Sequence, residues 1–165
     1  MEKVQKVIII GGEKSGKSSY LERCTTGKFF QNYEKTTSPI LNRLEFKTNK
    51  GKAKFEAWDF PGVGMFSTMK SAYTDIDGCF VFYNSDEETK AYIENVKKVS
   101  KNAKIIVIKS KYDIDKSSPS NEFKVYCKEN NISLFSVSSK DFCNTAKPIL
   151  DLIKQLHGKD TIVCP

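Results

Sequence analysis

Apolar residues in this chain follow two rhythms. Short runs rich in β-branched and aromatic residues predict strands at Val4–Ile10, Ile40–Lys47, Lys52–Asp59, Cys79–Tyr83, Ile105–Ile108 and Leu134–Val137. Between or after them, apolar residues at helical spacing predict helices at Lys17–Thr26, Phe66–Tyr73, Glu87–Ser100, Ser120–Asn130 and Thr145–Leu156. In the last of these, Ile149, Leu150, Ile153 and Leu156 share a face, and Thr145 is placed to cap the start. Ser120 is placed to cap the helix that follows the loop Lys116-Ser117-Ser118-Pro119. Strands alternating with helices predict an α/β fold, a mainly parallel sheet covered on both faces. The segment Phe46-Lys47-Thr48-Asn49-Lys50-Gly51-Lys52 breaks the alternation, because a short turn with Asn and Gly between two strands reads as a hairpin. One strand is therefore expected antiparallel at the sheet edge. No repeat, linker or low-complexity tract divides the chain, so residues 1–165 read as a single domain.

Composition narrows this picture. A chain of 165 residues, 39% hydrophobic and 28% charged, has ordinary globular content and can bury a core without staples. No run is long and apolar enough to span a membrane, and the charged start Met1-Glu2-Lys3 leads straight into the first strand without a signal peptide. The five cysteines, Cys24, Cys79, Cys127, Cys143 and Cys164, form no C-x-x-C pair. They read as free thiols in a reducing compartment, which points to a soluble cytoplasmic or nuclear protein. The net charge of +7 comes from lysines spread along the chain. That distribution reads as a solvated surface, and without interleaved aromatic and basic residues no nucleic-acid partner is expected.

The candidate chemistry starts where the first strand ends. Gly11-Gly12-Glu13-Lys14-Ser15-Gly16-Lys17-Ser18 fits the phosphate-binding loop pattern, Gly, any four residues, Gly, Lys, then Ser or Thr. The context fits as well: a buried strand delivers the loop and Ser18-Ser19-Tyr20-Leu21-Glu22-Arg23-Cys24 leaves it as a helix. Loop N–H groups and the helix N-terminus can then surround a phosphate. Lys17 would reach the β- and γ-phosphates and the Ser18 hydroxyl would ligate Mg2+.

Other segments at strand ends add to it. Asp59-Phe60-Pro61-Gly62 puts a carboxylate where it can hold Mg2+ through water and a glycine whose N–H can approach a γ-phosphate. In the polar connection Tyr33-Glu34-Lys35-Thr36-Thr37-Ser38, the Thr36 hydroxyl is placed to complete the Mg2+ shell, with Thr37 an adjacent rival. In Ser110-Lys111-Tyr112-Asp113 the carboxylate can accept both N1–H and the 2-amino group of guanine while the lysine stem packs over the ring; adenine offers no such donor pair. Ser138-Ser139-Lys140 can present a backbone N–H to the guanine O6. Ligands of open α/β sheets bind beyond the carboxyl ends of the strands, where all these segments lie.

The order G-x4-G-K-S, Thr36, D-x-x-G, S-K-x-D and S-S-K resembles the small GTPases of the Ras superfamily. The stretch Leu44 to Asp59, Thr26-Gly27-Lys28-Phe29, Lys147-Pro148 and Leu156-His157-Gly158 are most similar to its Ran branch. The resemblance covers nearly the whole chain. It implies a P-loop NTPase G domain with a six-stranded sheet and five helices. It also implies GTP or GDP with Mg2+ as ligands, and a GTPase reaction yielding GDP and phosphate. By the same resemblance, Gly11 through Ser19, Phe29, Thr36, Gly62, Ser110, Lys111, Asp113, Ser138, Ser139 and Lys140 would bind the nucleotide, with Phe29 edge-on at the guanine. Ser18, Thr36 and Asp59 would hold the metal, and Lys17, Thr36 and Gly62 would act at the reacting phosphate. Effector, exchange-factor and activating proteins would meet a monomer at switch loops 29–39 and 60–74.

Departures from the family pattern change the expected rate. The family's water-orienting glutamine is replaced by Val63, which has neither donor nor acceptor. Glu13 and Lys14 stand where small residues are usual. Side chains there obstruct an arginine finger, whose contribution is about 10³–10⁵ in rate. Hydrolysis is therefore expected to be very slow. Ser110 replaces the family's asparagine. The span from Asp59 to Ser110 is several residues short of the Ran pattern, an acidic C-terminal extension is missing, and the Cys164 placement does not suit a prenyl anchor. Transport between nucleus and cytoplasm is the cellular role the resemblance implies, with vesicle traffic of the Rab kind or a GTP-bound interaction module as alternatives.

Overall fold

β-branched runs do form the sheet. The computed structural model describes residues 3–62 and 70–164. Its elements in order are β1 (Val4–Gly11), α1 (Lys17–Thr26), β2 (Ile40–Thr48), β3 (Gly51–Asp59), a short 3-10 turn (Lys70–Tyr73), β4 (Gly78–Phe82), α2 (Asp86–Val99), β5 (Lys104–Lys109), α3 (Asn121–Glu129), β6 (Ser133–Ser136) and α4 (Ala146–His157). The six strands lie in the order β2-β3-β1-β4-β5-β6. Among these strands only β2 and β3 pair antiparallel; β1 pairs parallel with both β3 and β4, and β5 and β6 extend the sheet in parallel.

Alternation along the central strands explains the two layers. Val7 and Ile9 of β1, with Phe80, Phe82, Ile106 and Ile108, pack against Tyr20 and Leu21 of α1 and Ile149, Leu152 and Ile153 of α4. The intervening residues Ile8 and Ile10, with Cys79, Val81, Ile105 and Val107, meet Ile93 and Val96 of α2 and Phe123 and Cys127 of α3 on the other face. Successive residues of a strand point to opposite faces, so strands buried on both faces read as unbroken apolar runs. The expected hairpin forms around Asn49-Lys50, with Thr48 paired to Gly51. The segment after α4 returns to it: Asn49 N–H donates to Ile162 O at 3.0 Å and Cys164 N–H to Lys47 O at 2.8 Å.

The α/β reading, with a mainly parallel sheet and one antiparallel edge strand, holds. Among the described residues four α-helices form, not five. Of the segment expected as a helix over Phe66–Tyr73, the described residues form the 3-10 turn Lys70–Tyr73, and 66–69 lie outside the described residues. The turn stops because its end is claimed by the core. Tyr73 stacks on Phe60 at 4.8 Å, its carbonyl accepts the Ser100 hydroxyl at 2.9 Å, and Asp75 takes a left-handed φ of 54°. Ser120 caps α3 as expected, its Oγ accepting from Phe123 N–H at 3.0 Å. Thr145 occupies the start of α4 but makes no side-chain cap; at φ −61° and ψ −31° it already has helical backbone geometry, unlike the extended cap residue. No helix among the described residues is long and apolar enough to cross a membrane.

Candidate functional site

The sheet reverses direction of growth at β1, with β3 on one side and β4 on the other. A crevice opens beyond the carboxyl ends of the strands at such a point. β1 delivers Gly11 there, and the chain turns through Gly16 into α1. Gly16 has φ 91°, a left-handed backbone that favours glycine, and a Cβ on it would press on the Ser110 side chain, 2.8 Å from its Oγ. α1 begins without a side-chain cap and without an acidic residue in its first turn, which leaves its first N–H groups available to an anion. Lys17 is 6% exposed, and its amine donates to Gly12 O at 2.7 Å and Gly11 O at 3.1 Å. Burial lowers its pKa, against the opposing pull of the Asp59 and Glu13 carboxylates.

Three oxygens gather beside Lys17. The register Ile9↔Asp59 sets Asp59, the last residue of β3, beside Ile9, two residues before the end of β1. Ser18 Oγ donates to Asp59 Oδ2 and lies 3.0 Å from Thr36 Oγ1. Thr37 is exposed, so of the two candidate threonines it is Thr36 that reaches Ser18. The other Asp59 oxygen, Oδ1, is buried without a hydrogen-bond partner. Burial raises the Asp59 carboxyl pKa, while the Ser18 bond and the Lys17 charge pull it down. A buried acceptor without a donor is suited to a cation. Among the described residues no cluster of three or more His, Cys, Asp or Glu side chains forms. One carboxylate and two hydroxyls suit Mg2+, which keeps several of its waters and takes few protein ligands.

The loops on either side close on the phosphate loop. A Cβ on Gly62 would lie 2.5 Å from both the N and Cα of Glu13, so only glycine lets the two backbones approach this closely. Glu13 pairs with Lys35 at 3.5 Å, and the Lys14 amine lies 5.7 Å from the centre of the Tyr33 ring. Both side chains that depart from the small-residue pattern thus reach the 29–39 connection. Val63, where a glutamine would be expected, lies outside the described residues together with 64–69.

A second group of residues lies further along the same edge. Ser110 Oγ donates to Ser15 O and the Lys111 amine donates to Lys14 O, so the loop after β5 is tied to the phosphate loop despite the missing asparagine. Asp113 Oδ1 accepts from Ser138 Oγ at 2.7 Å, and Ser138 Oγ in turn accepts Asp141 N–H at 3.1 Å. Ser138 and Ser139 are buried, Lys140 is exposed, and Phe29 is half-buried on the connection after α1.

Two residues of this region escaped the motif reading. Lys109 is buried at the end of β5, and its amine donates to Asp115 Oδ2 at 2.9 Å, Asp115 O at 3.1 Å and Ser117 Oγ at 3.2 Å. That bond holds the Asp115 carboxyl well below the usual carboxylate range. A lysine closing an apolar strand, with an aspartate six residues on, was the available signal. Arg23 reaches Ser139 O at 2.6 Å and Lys140 O at 2.7 Å. More than a hundred residues separate those partners, and no local pattern announces them.

With this geometry in place, comparison of the chain with known families gives a match over residues 6–113, more than half of its length, to the family described as Ras of Complex, Roc, domain of DAPkinase. The matched span runs from β1 to Asp113.

Proposed function

The chain belongs to the Roc family of Ras-like GTPase domains, and from that premise we propose that it is a GTP-binding molecular switch whose own hydrolysis is very slow. The observation that carries this reading is the group formed by Ser18, Thr36 and the orphaned Asp59 oxygen beside the buried Lys17. In it, Lys17 and the N–H groups from Gly11 to Ser19 bind the β- and γ-phosphates, and Thr36 and Gly62 close on the γ-phosphate. Ser18, Thr36 and Asp59 hold Mg2+, which when bound neutralises charge on the phosphate oxygens. Asp113 reads the guanine N1–H and 2-amino group, Ser138, Ser139 and Lys140 read O6, Lys111 packs over the ring, and Phe29 meets its edge. Ser110 substitutes for the usual asparagine by bonding the phosphate loop.

Slow turnover follows from side chains. Val63 cannot orient the attacking water, and Glu13 fills the approach an arginine finger needs. Effectors, an exchange factor and an activating protein would bind through 29–39 and 60–74. The Ran-type sequence of the β2–β3 region supports a role in transport between nucleus and cytoplasm, with Rab-like vesicle traffic the alternative. A GTP-loaded protein that binds no nuclear transport receptor would remove that role.

The test is to release the nucleotide from purified protein, identify it, and follow single-turnover decay of added GTP. We expect guanine nucleotide at one per chain, slow decay, and faster decay in Val63→Gln. If that variant hydrolyses GTP no faster, the missing glutamine is not what limits the rate. A protein that neither retains nor binds GTP or GDP in the presence of Mg2+ sinks the whole reading. The contacts Glu13–Lys35 and Lys14–Tyr33 support a second reading, a module held in the GTP state for binding partners, since they tie the 29–39 connection across the phosphate loop. Recovery of GDP alone from the purified protein would argue against it.

A further inference from the structure

We propose that Arg23 is a positioning residue for the base end of the nucleotide site, acting through the backbone of the loop after β6 to aim N–H groups at the guanine 6-oxygen. The inference rests on the guanine-binding reading above.

All three guanidinium nitrogens are in use, and every acceptor is a backbone carbonyl. Nε donates to Ser139 O at 2.6 Å, Nη2 to Lys140 O at 2.7 Å and Nη1 to Gly27 O at 2.6 Å. The guanidinium carbon also lies 4.7 Å from the centre of the Phe142 ring, which a left-handed φ of 59° turns toward it. A residue that served only to finish α1 would need the Gly27 bond alone. The other two cross to a different part of the chain.

The geometry of the peptide bond gives those two bonds a consequence. In a trans peptide the C=O and the N–H of the next residue point in opposite directions. Pulling Ser139 O toward Arg23 turns Lys140 N–H away from it, and pulling Lys140 O turns Asp141 N–H the same way. Asp141 N–H does lie on that side, where it meets Ser138 Oγ at 3.1 Å, and that hydroxyl holds Asp113. Lys140 N–H is therefore turned toward the side where Asp113 sits, the side on which a guanine edge would lie. The third bond fixes Gly27, two residues before Phe29, so one side chain joins the two segments that border the ring.

The experiment compares GDP with 6-thio-GDP on the unaltered full chain, Arg23→Ala, Arg23→Lys and Phe142→Ala, with Mg2+ present and folding checked by thermal melting. The thio analogue keeps N1–H and the 2-amino group and replaces only the 6-oxygen by a weaker acceptor. The unaltered protein should prefer GDP several-fold. In Arg23→Ala, GDP affinity should fall roughly tenfold, the worth of about one hydrogen bond, while 6-thio-GDP changes little, so the preference disappears. Arg23→Lys, which keeps one donor group, should fall between, and Phe142→Ala should shift the same way by less. If the folded variants lose affinity for both nucleotides by the same factor, Arg23 is merely structural and the proposal fails. A protein that binds GDP without preferring it to the thio analogue also overturns the proposal while leaving guanine binding intact. Absence of GDP binding in the unaltered protein removes the reading beneath both.

Discussion

Asp59 and Lys17 carry charges that the fold alone does not favour. Asp59 is 2% exposed, with one oxygen unpaired. Because burial raises its carboxyl pKa, the folded state binds a proton more readily than the unfolded one. Stability of the ligand-free protein should then fall as pH rises from the ordinary aspartate value through the raised one, and stay level above it. Lys17, with its pKa lowered, has the opposite sign: stability should rise as pH climbs from its depressed value toward the ordinary lysine value. An amide in place of the carboxylate keeps the shape and removes the charge. Asp59→Asn, free of nucleotide and Mg2+, should melt roughly 2–4 °C higher, equivalent to about 1 kcal/mol in a domain of this size. Its acid-side pH dependence should flatten, and release of bound GDP should lose its sensitivity to Mg2+. Melting curves across pH and stopped-flow release with and without chelator check this; an Asn variant that melts lower without ligand would show that Asp59 is a structural acceptor. The spacing of Lys17 and Ser18 made them legible in the sequence; family resemblance selects Thr36 there, and spacing alone does not separate it from Thr37, because that depends on which hydroxyl the irregular connection brings to Ser18.

Between elements, Ser120 does more than its position in the sequence suggested. It was legible as a cap, and its Oγ does accept Phe123 N–H. It also donates to Asp86 in the first turn of α2, where Tyr83 OH donates at 2.7 Å to the same carboxylate. Those hydroxyls hold the Asp86 carboxyl below its ordinary pKa, with the Ser120 bond the larger cause. One hydroxyl therefore caps α3 and ties it to α2. Ser85 caps α2 alone, its Oγ accepting Glu88 N–H at 3.3 Å. Ser85→Ala should cost about 1 kcal/mol, the ordinary worth of a cap, and Ser120→Ala about 2 kcal/mol because a second hydrogen bond goes with it. Denaturant unfolding of the two variants measures the difference, and equal costs would mean that the Asp86 bond contributes nothing. Thr145 shows the limit of reading caps from residue type. The right residue stands at the start of α4, but a helical backbone there prevents the cap, and its carbonyl instead accepts the Tyr20 hydroxyl at 3.0 Å.

Across the whole molecule, what local pattern could show was the type and place of each element, because burial on two faces leaves unbroken apolar runs and burial on one leaves periodic ones. What it could not show was which distant residues complete the site: Arg23 with Ser139, Lys109 with Asp115, Ser110 with Ser15. The sheet order places the unfavourable charges of Lys17 and Asp59 and the uncapped start of α1 at one edge, where the order reverses. Each of these features costs stability in the free protein, and each would be satisfied by one anionic ligand carrying a divalent cation. Stability should therefore depend strongly on that ligand. At about a thousandfold excess over its dissociation constant, GDP with Mg2+ should add about 4 kcal/mol. In a domain of this size that raises the melting temperature by roughly 8–16 °C. ADP with Mg2+ should leave it nearly unchanged, since adenine offers no N1–H and 2-amino pair to Asp113 in its proposed role as the base acceptor. Chelating the metal should return most of the gain, because the proposed metal ligand Asp59 Oδ1 would then be buried without a partner. A melting temperature indifferent to GDP and Mg2+ would mean that this cluster of buried charge is part of the resting fold and that the folded chain does not bind GDP.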